Sequence, residues 1–186
     1  MAQTASSNQS QFYQQYPRMP VVITSRSGGR SNAMVAARHT VVSSNPPYYG
    51  ISISEDSLTY QLIMESREFG LNFLPFEEVA LMDKLGSTKG KEIDKFQKFN
   101  IAVVPPEKTK VPVLKVAYAA YECRLVSDTA VNRTHWLVGE IVAMRPLKEC
   151  LTEPGILDLS RVNPILYLGS QRYLTAAKDT QKYVPR

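Results

Sequence analysis

Apolar and polar positions along the chain follow two periods, and the two-residue period dominates. Val21-Val22-Ile23-Thr24-Ser25 is a β-branched run closed by Ser27-Gly28-Gly29-Arg30, which reads as a strand and a tight turn. A second strand is expected from Asn32 to about Thr40. Pro46-Pro47 then breaks the chain, and Tyr48-Tyr49-Gly50-Ile51-Ser52-Ile53-Ser54 reads as a third strand. Phe69 to Phe73 supplies a short one. Near-alternation from Ala120 to Ala130 and from His135 to Met144 predicts an antiparallel pair joined at Asn132-Arg133. Pro164-Ile165-Leu166-Tyr167-Leu168 supplies the last.

Helical spacing is confined to short stretches between these strands. Ser57 is placed to cap a helix from Leu58 to about Ser66, with Leu58, Leu62 and Ile63 on one face. Glu77 to Leu85 and Glu92 to Phe99 predict two more, separated by Gly86-Ser87-Thr88-Lys89-Gly90. Strands joined by turns, with helices inserted irregularly, predict a mainly β fold: a barrel with helical additions. A doubly wound parallel sheet needs regular alternation and is not expected.

At 186 residues the chain suits one domain with a substantial core. Residues 1–15, polar and rich in Gln and Ser, are expected to form a mobile arm. The domain is expected over 16–175, with a polar tail at 176–186. No apolar run approaches the ~20 residues of a membrane span, and no secretory signal pattern opens the chain, so a cytoplasmic location is expected. A net charge of +5 permits an anionic partner, but the basic residues are scattered, and no nucleic-acid partner is expected. Cys123 and Cys150 lack the close spacing of a zinc or dithiol site and read as idle thiols.

Protein-borne catalytic patterns are scarce. There is no H-E-x-x-H and no G-x-S-x-G, and Gly86-Ser-Thr-Lys-Gly90-Lys91-Glu92 lacks the spacing and the hydroxyl of a Walker loop. If the chain is an enzyme, a cofactor must carry the chemistry.

Four segments taken in order carry more information than any single one. They are Asn32-Ala33-Met34, Ser52-Ile53-Ser54 leading to Leu58-Thr59-Tyr60-Gln61-Leu62-Ile63, Gly86-Ser87 with Asp94-Lys95-Phe96, and Val138-Gly139-Glu140-Ile141-Val142. In this order and spacing the chain resembles the flavin reductase-like family of FMN-binding split barrels, flavoredoxins included, from about Pro20 to Tyr173. The resemblance implies a six-stranded antiparallel Greek-key split barrel with added short helices. It also implies a homodimer with flavin near the interface, FMN as cofactor with FAD as the alternative, and NAD(P)H as co-substrate. An electron-acceptor protein is a possible further partner. Two activities are compatible with it. One is an NAD(P)H-dependent flavin reductase passing hydride through flavin N5; the other is an FMN electron carrier without NAD(P)H turnover.

Carried over residue by residue, the resemblance implies that Asn32, Ala33 and Met34 approach the flavin, and that Ser52, Ile53 and Ser54 run their backbone along its ring. Thr59, Ser87 and Lys95 are implied at the phosphate. Thr59 is otherwise a first-turn helix residue, and Lys95 a solvated one. The family often continues Thr-Val-Ser-Trp where this chain has Val35-Ala36-Ala37-Arg38. Arg38 therefore replaces an aromatic platform, either by stacking or by reaching an anionic edge, or else it faces solvent. His135 and Thr134 compete for a flavin-facing position on the late strand, with Trp136 read as packing. Tyr167 or Tyr173 is implied as a cover for the ring.

Overall fold

The computed structural model describes residues 15–176 and 178–184. Residues 1–14 of the expected arm, and 177, 185 and 186 of the expected tail, lie outside them. Strand β1 (Val21–Ser27) and strand β2 (Arg30–Ala36) pair along their whole length, Val21 opposite Ala36 and Ser27 opposite Arg30. Gly28 and Gly29 join them with φ of 55° and 81°, the left-handed pair that a two-residue hairpin requires and glycine supplies without strain.

The single strand expected over 32–40 is two strands. Pro20 precedes β1, so the ladder with β2 runs out at Ala36, and the chain turns a corner at Ala37 and Arg38. It resumes as β3 (His39–Ser44), paired with β4 (Pro47–Ser54). The N–H of Ser52 donates to the Arg38 carbonyl at 2.9 Å and pins the corner. After helix α1 (Leu58–Ser66) come β5 (Glu68–Phe73), α2 (Val79–Ser87) and α3 (Lys95–Lys98). The short pair β6 (Val103–Val104) and β7 (Val113–Leu114) precedes the long hairpin of β8 (Ala119–Val131) and β9 (Thr134–Pro146). A final hairpin joins β10 (Ile165–Gly169) to β11 (Arg172–Thr175).

The main sheet has the order β2-β1-β5-β8-β9-β4-β3, every neighbour antiparallel. Its two end strands, β2 and β3, are consecutive in the chain. The corner between them therefore closes the sheet on itself, and β2 and β4 touch across it. Seven strands stand where six were expected, because the second strand changes partner at the corner. Counted as one, β2 and β3 restore the expected set.

Two apolar layers hold this frame. Inside the barrel, Val21, Ile23, Ile51, Ile53, Phe69, Leu71 and Leu137 are almost fully buried, with Ile63 of α1 closing one end. On the outer face of β1 and β2, Val22 and Ala33 pack with Met82 and Leu85 of α2 and with Ile165 of β10. α1 begins where Ser57 accepts from the Tyr60 N–H at 3.0 Å. The last helix is shorter than the expected 92–99. Asp94 accepts from Gln97 N–H and caps it, so helical geometry starts at Lys95. Both cysteines are buried, and burial raises the Cys123 thiol pKa, keeping it protonated and inert. No helix among the described residues is long and apolar enough to cross a membrane.

Candidate functional site

Two recesses flank the corner, and Ala37 lines both. The first, of about 280 Å³, lies between Val35 of β2, the end of α2 at Asp83, Gly86 and Ser87, and the tyrosines Tyr167 and Tyr173. The second, of about 660 Å³, is lined by Arg18, Arg38, Thr40, Ser52 and Trp136. The larger falls within the ~300–1,000 Å³ typical of ligand clefts and the smaller just below it. The corner where the barrel closes thus has a hollow on either side of Ala37.

In the first recess the Tyr173 hydroxyl donates to Asp83 Oδ1 at 3.1 Å. Burial, then this hydrogen bond, raises the Tyr173 pKa, so the phenol stays a protonated donor. Its ring lies 5.2 Å from that of Tyr167. Ser87 is exposed at the end of α2, its hydroxyl directed to the Lys84 carbonyl at 3.3 Å. Val35, Ala37 and Pro20 provide an apolar wall.

Buried polar side chains tie β2 to the helices. Asn32 donates from Nδ2 to Thr59 Oγ1 at 2.9 Å, joining β2 to the first turn of α1. A Cβ on Gly90 would stand 2.1 Å from Asn32 Oδ1, so the loop after α2 crosses the amide only because residue 90 has no side chain. Thr59 is fully buried and meets Asn32 rather than the surface.

Lys95 departs from its expected place. It is 2% exposed, and its ammonium donates to the Ala33 carbonyl at 2.8 Å and the Leu85 carbonyl at 2.7 Å. Burial lowers its pKa to about 8. The residue is a staple between β2, α2 and α3, because α2 ends with a carbonyl that needs a donor and α3 starts beside it. In this arrangement both carbonyls that accept from its ammonium belong to the fold.

The β4 segment also differs from expectation. Ser52 reaches the second recess, but its N–H is given to Arg38. Ile53 belongs to the core, and the Ser54 carbonyl accepts from the Ser57 N–H and hydroxyl. Much of the edge expected to run along a flavin ring is therefore committed to the fold. Met34 packs against the barrel core, and Ala33 against α2.

His135 stands apart from both recesses. Its Nδ1 lies 2.6 Å from Asp128 Oδ1, its Nε2 3.7 Å from Glu55, and its ring 4.4 Å from Tyr60, whose hydroxyl donates to Asp128. Thr134 opens β9 opposite Ser54. Neither of the two competing residues lines the recesses at the corner.

Sequence reasoning missed Arg18, Asp83 and Gln171, and it read Trp136 as packing alone. Trp136 does pack, since a Cβ on Gly50 would lie 2.1 Å from its Cζ2, but it also lines the second recess. Arg18 reaches the site through a bridge to Tyr167, a contact across most of the chain with no local pattern.

The flavin reductase like domain model matches residues 13–173. A crystal structure of an FMN-binding protein from Thermus thermophilus, with bound 1-cyclohex-2-enone, superposes with a TM-score of 0.88 at 31% identity. The match covers 100% of this chain and 99% of that one. An uncharacterized protein of Aeropyrum pernix is 30% identical over 158 residues, 84% of this chain and 59% of its own length. A ferric-chelate reductase (NAD(P)H) of Archaeoglobus fulgidus is 28% identical over 129 residues, 69% of this chain and 75% of its own. With its split-barrel topology and the family model spanning most of its length, the chain belongs to the flavin reductase-like family.

Proposed function

We propose that this protein binds FMN at the corner of the barrel and works as an NAD(P)H-dependent oxidoreductase. The observation that carries the proposal is the pair of recesses that share Ala37 in their linings, one walled by Val35 with Ser87 and two tyrosines, the other lined by Arg18, Arg38 and Trp136. Adjoining hollows suit a reaction in which a cofactor and a second reactant must touch. The lining fits a flavin. An apolar wall and aromatic rings suit its planar ring system, and the hydroxyl oxygens of Ser87 and Tyr173, whose protons go to the Lys84 carbonyl and Asp83, can accept from its ring N–H and ribityl hydroxyls. The FMN of the Thermus relative and the NAD(P)H of the Archaeoglobus reductase support the same assignment.

Bound there, the flavin supplies the two-electron chemistry that no side chain of this protein offers. The protein's own contribution is placement. Asn32, Thr59 and Lys95 lock β2 against α1, α2 and α3, so the wall of the cleft keeps its shape. Tyr173, fixed by Asp83, offers a phenol that stays protonated. A homodimer fits the exposed Val41 and Val42 on edge strand β3, where two-fold pairing would cover them.

A second reading, an electron carrier without NAD(P)H turnover, is favoured by one observation. An exposed Arg38 stands where the family often has an aromatic residue. A single experiment separates the two. Protein loaded with FMN is mixed anaerobically with NADH or NADPH, and the 450 nm region is followed. Rapid bleaching supports the reductase, and an unchanged spectrum supports the carrier. Failure to take up FMN at all refutes both.

A further inference from the structure

We propose that the recess lined by Arg18, Arg38 and Trp136 seats the second reactant, a planar conjugated molecule carrying an oxyanion. The proposal rests on the flavin reading, because Ala37 lines both this recess and the cleft assigned to FMN.

Arg18 and Arg38 both line the recess, and among the described residues its lining includes no aspartate or glutamate. Arg133, by contrast, is paired with Glu55 and Asp56, and Arg161 with Asp158. Among the described residues Arg18 and Arg38 make no such ion pair. Arg18 donates to the neutral amide of Gln15 and lies 5.7 Å over the Tyr16 ring. Two like charges around one hollow raise its potential, and an oxyanion bound by their forked N–H groups relieves it. The field already reaches His39, where the Arg18 charge adds to burial in disfavouring the imidazolium.

Trp136 is held in place against the main chain of Gly50, where an added Cβ would lie 2.1 Å from Cζ2 and 2.6 Å from Cη2. Its indole therefore forms a fixed aromatic wall, suited to a flat partner. Ser52, opposite Trp136 in the ladder, and Thr40 also line the recess. Fixed aromatic wall, paired guanidiniums and hydroxyl-bearing residues together select a conjugated ring bearing a carboxylate or phosphate. Two sources share this chemistry: a small aromatic acid, and the ribose 2′-phosphate of a dinucleotide with its adenine.

Trp136 is the one tryptophan of the chain, so its emission reports occupancy of the recess without reference to flavin or turnover. Flavin-free full-length protein is titrated with benzoate, benzamide, adenosine 2′-phosphate and adenosine. FMN and riboflavin are titrated in parallel by flavin fluorescence. The expected result is a saturable change in Trp136 emission, with an anion at least about tenfold tighter than its neutral partner. Preference within the benzoate pair assigns the aromatic acid, and preference within the adenosine pair assigns the dinucleotide. The double variant R18Q/R38Q should abolish the preference, and R18K/R38K should keep part of it. Equal binding of charged and neutral probes overturns the proposal, as does a preference that survives R18Q/R38Q. So does loss, in that variant, of any advantage of FMN over riboflavin, since the guanidiniums would then serve the cofactor. If FMN fails to bind wild-type protein while the anion preference persists, the flavin reading falls and the oxyanion site stands.

Discussion

Replacing Lys95 by methionine tests how the wall of the cleft proposed for FMN is held. The ammonium makes two hydrogen bonds, at 2.8 Å to the Ala33 carbonyl and 2.7 Å to the Leu85 carbonyl, and is almost fully buried. Hydrogen bonds from a charged donor contribute about 1.5–3 kcal/mol each, and a carbonyl left unpaired in the interior costs about 1–3 kcal/mol. Methionine keeps the apolar stem and removes the cost of burying a charge, which offsets part of this loss. We expect a net destabilisation of about 2–4 kcal/mol, or about 5–15 °C in melting temperature for a chain of this size. The pH profile sharpens the test. Burial places the folded pKa near 8, below the ordinary 10.5. Between those values the unfolded chain binds more protons than the folded one, so stability should climb as pH rises through that window. Lys95→Met should remove that climb. Urea melts of both proteins from pH 7 to 10.5 measure it. A variant that melts with the wild type but loses FMN would refute the reasoning, because the ammonium would then face the ligand and not the two carbonyls.

Further outcomes follow from the same geometry. Glu122 accepts from the N–H groups of Glu107, Lys108 and Thr109 and from the Thr109 hydroxyl. Burial raises its pKa, but these donors outweigh it and the net shift is downward. Its stabilising effect should hold above the ordinary carboxylate pKa and fade as pH falls through the lowered one, and Glu122→Gln should flatten that acid limb in thermal melts. His39, held between the Met19 carbonyl and the Tyr49 hydroxyl at 2.8 Å each, titrates low chiefly through burial. Stability should therefore drop as pH falls from 6.5 towards that lowered value, and His39→Gln should lose the step; an NMR titration giving an ordinary pKa would contradict this. Gly50→Ala drives a methyl into the Trp136 ring and should cost about 1–3 kcal/mol with a shift in tryptophan emission, whereas unchanged emission would mean that the indole lies elsewhere.

The barrel was legible in the sequence because its strands carry period-two patterns long enough to count. Ser57 and the helix after it were legible too, since a cap and an apolar face are local signals. The corner was not. Nothing at Ala37-Arg38 marks a break; the change of partner arises because β1 ends its ladder at Ala36, a fact about a different strand. The pair β6 and β7 is too short for any period to register. The β10–β11 hairpin turns through Ser170 and Gln171 at φ of 48° and 59°, without glycine at either position to announce it.

At the site, local motifs gave residues but not the contacts those residues make within the fold. They named Lys95 and Thr59 for a phosphate, and both lie within the fold, because sequence spacing does not reveal which carbonyls await a donor. Ser87, Arg38, Ser52, Tyr167 and Tyr173 do line the two recesses. Arg18 joins them only through the pairing with Tyr167, invisible to local pattern.

The central claim is that the corner of the barrel holds a flavin. Its most direct test is an equilibrium titration of flavin-free protein into FMN, followed by flavin fluorescence. The account predicts a saturable change with an equivalence point at one FMN per chain. A response that stays flat or linear through equivalence would contradict it.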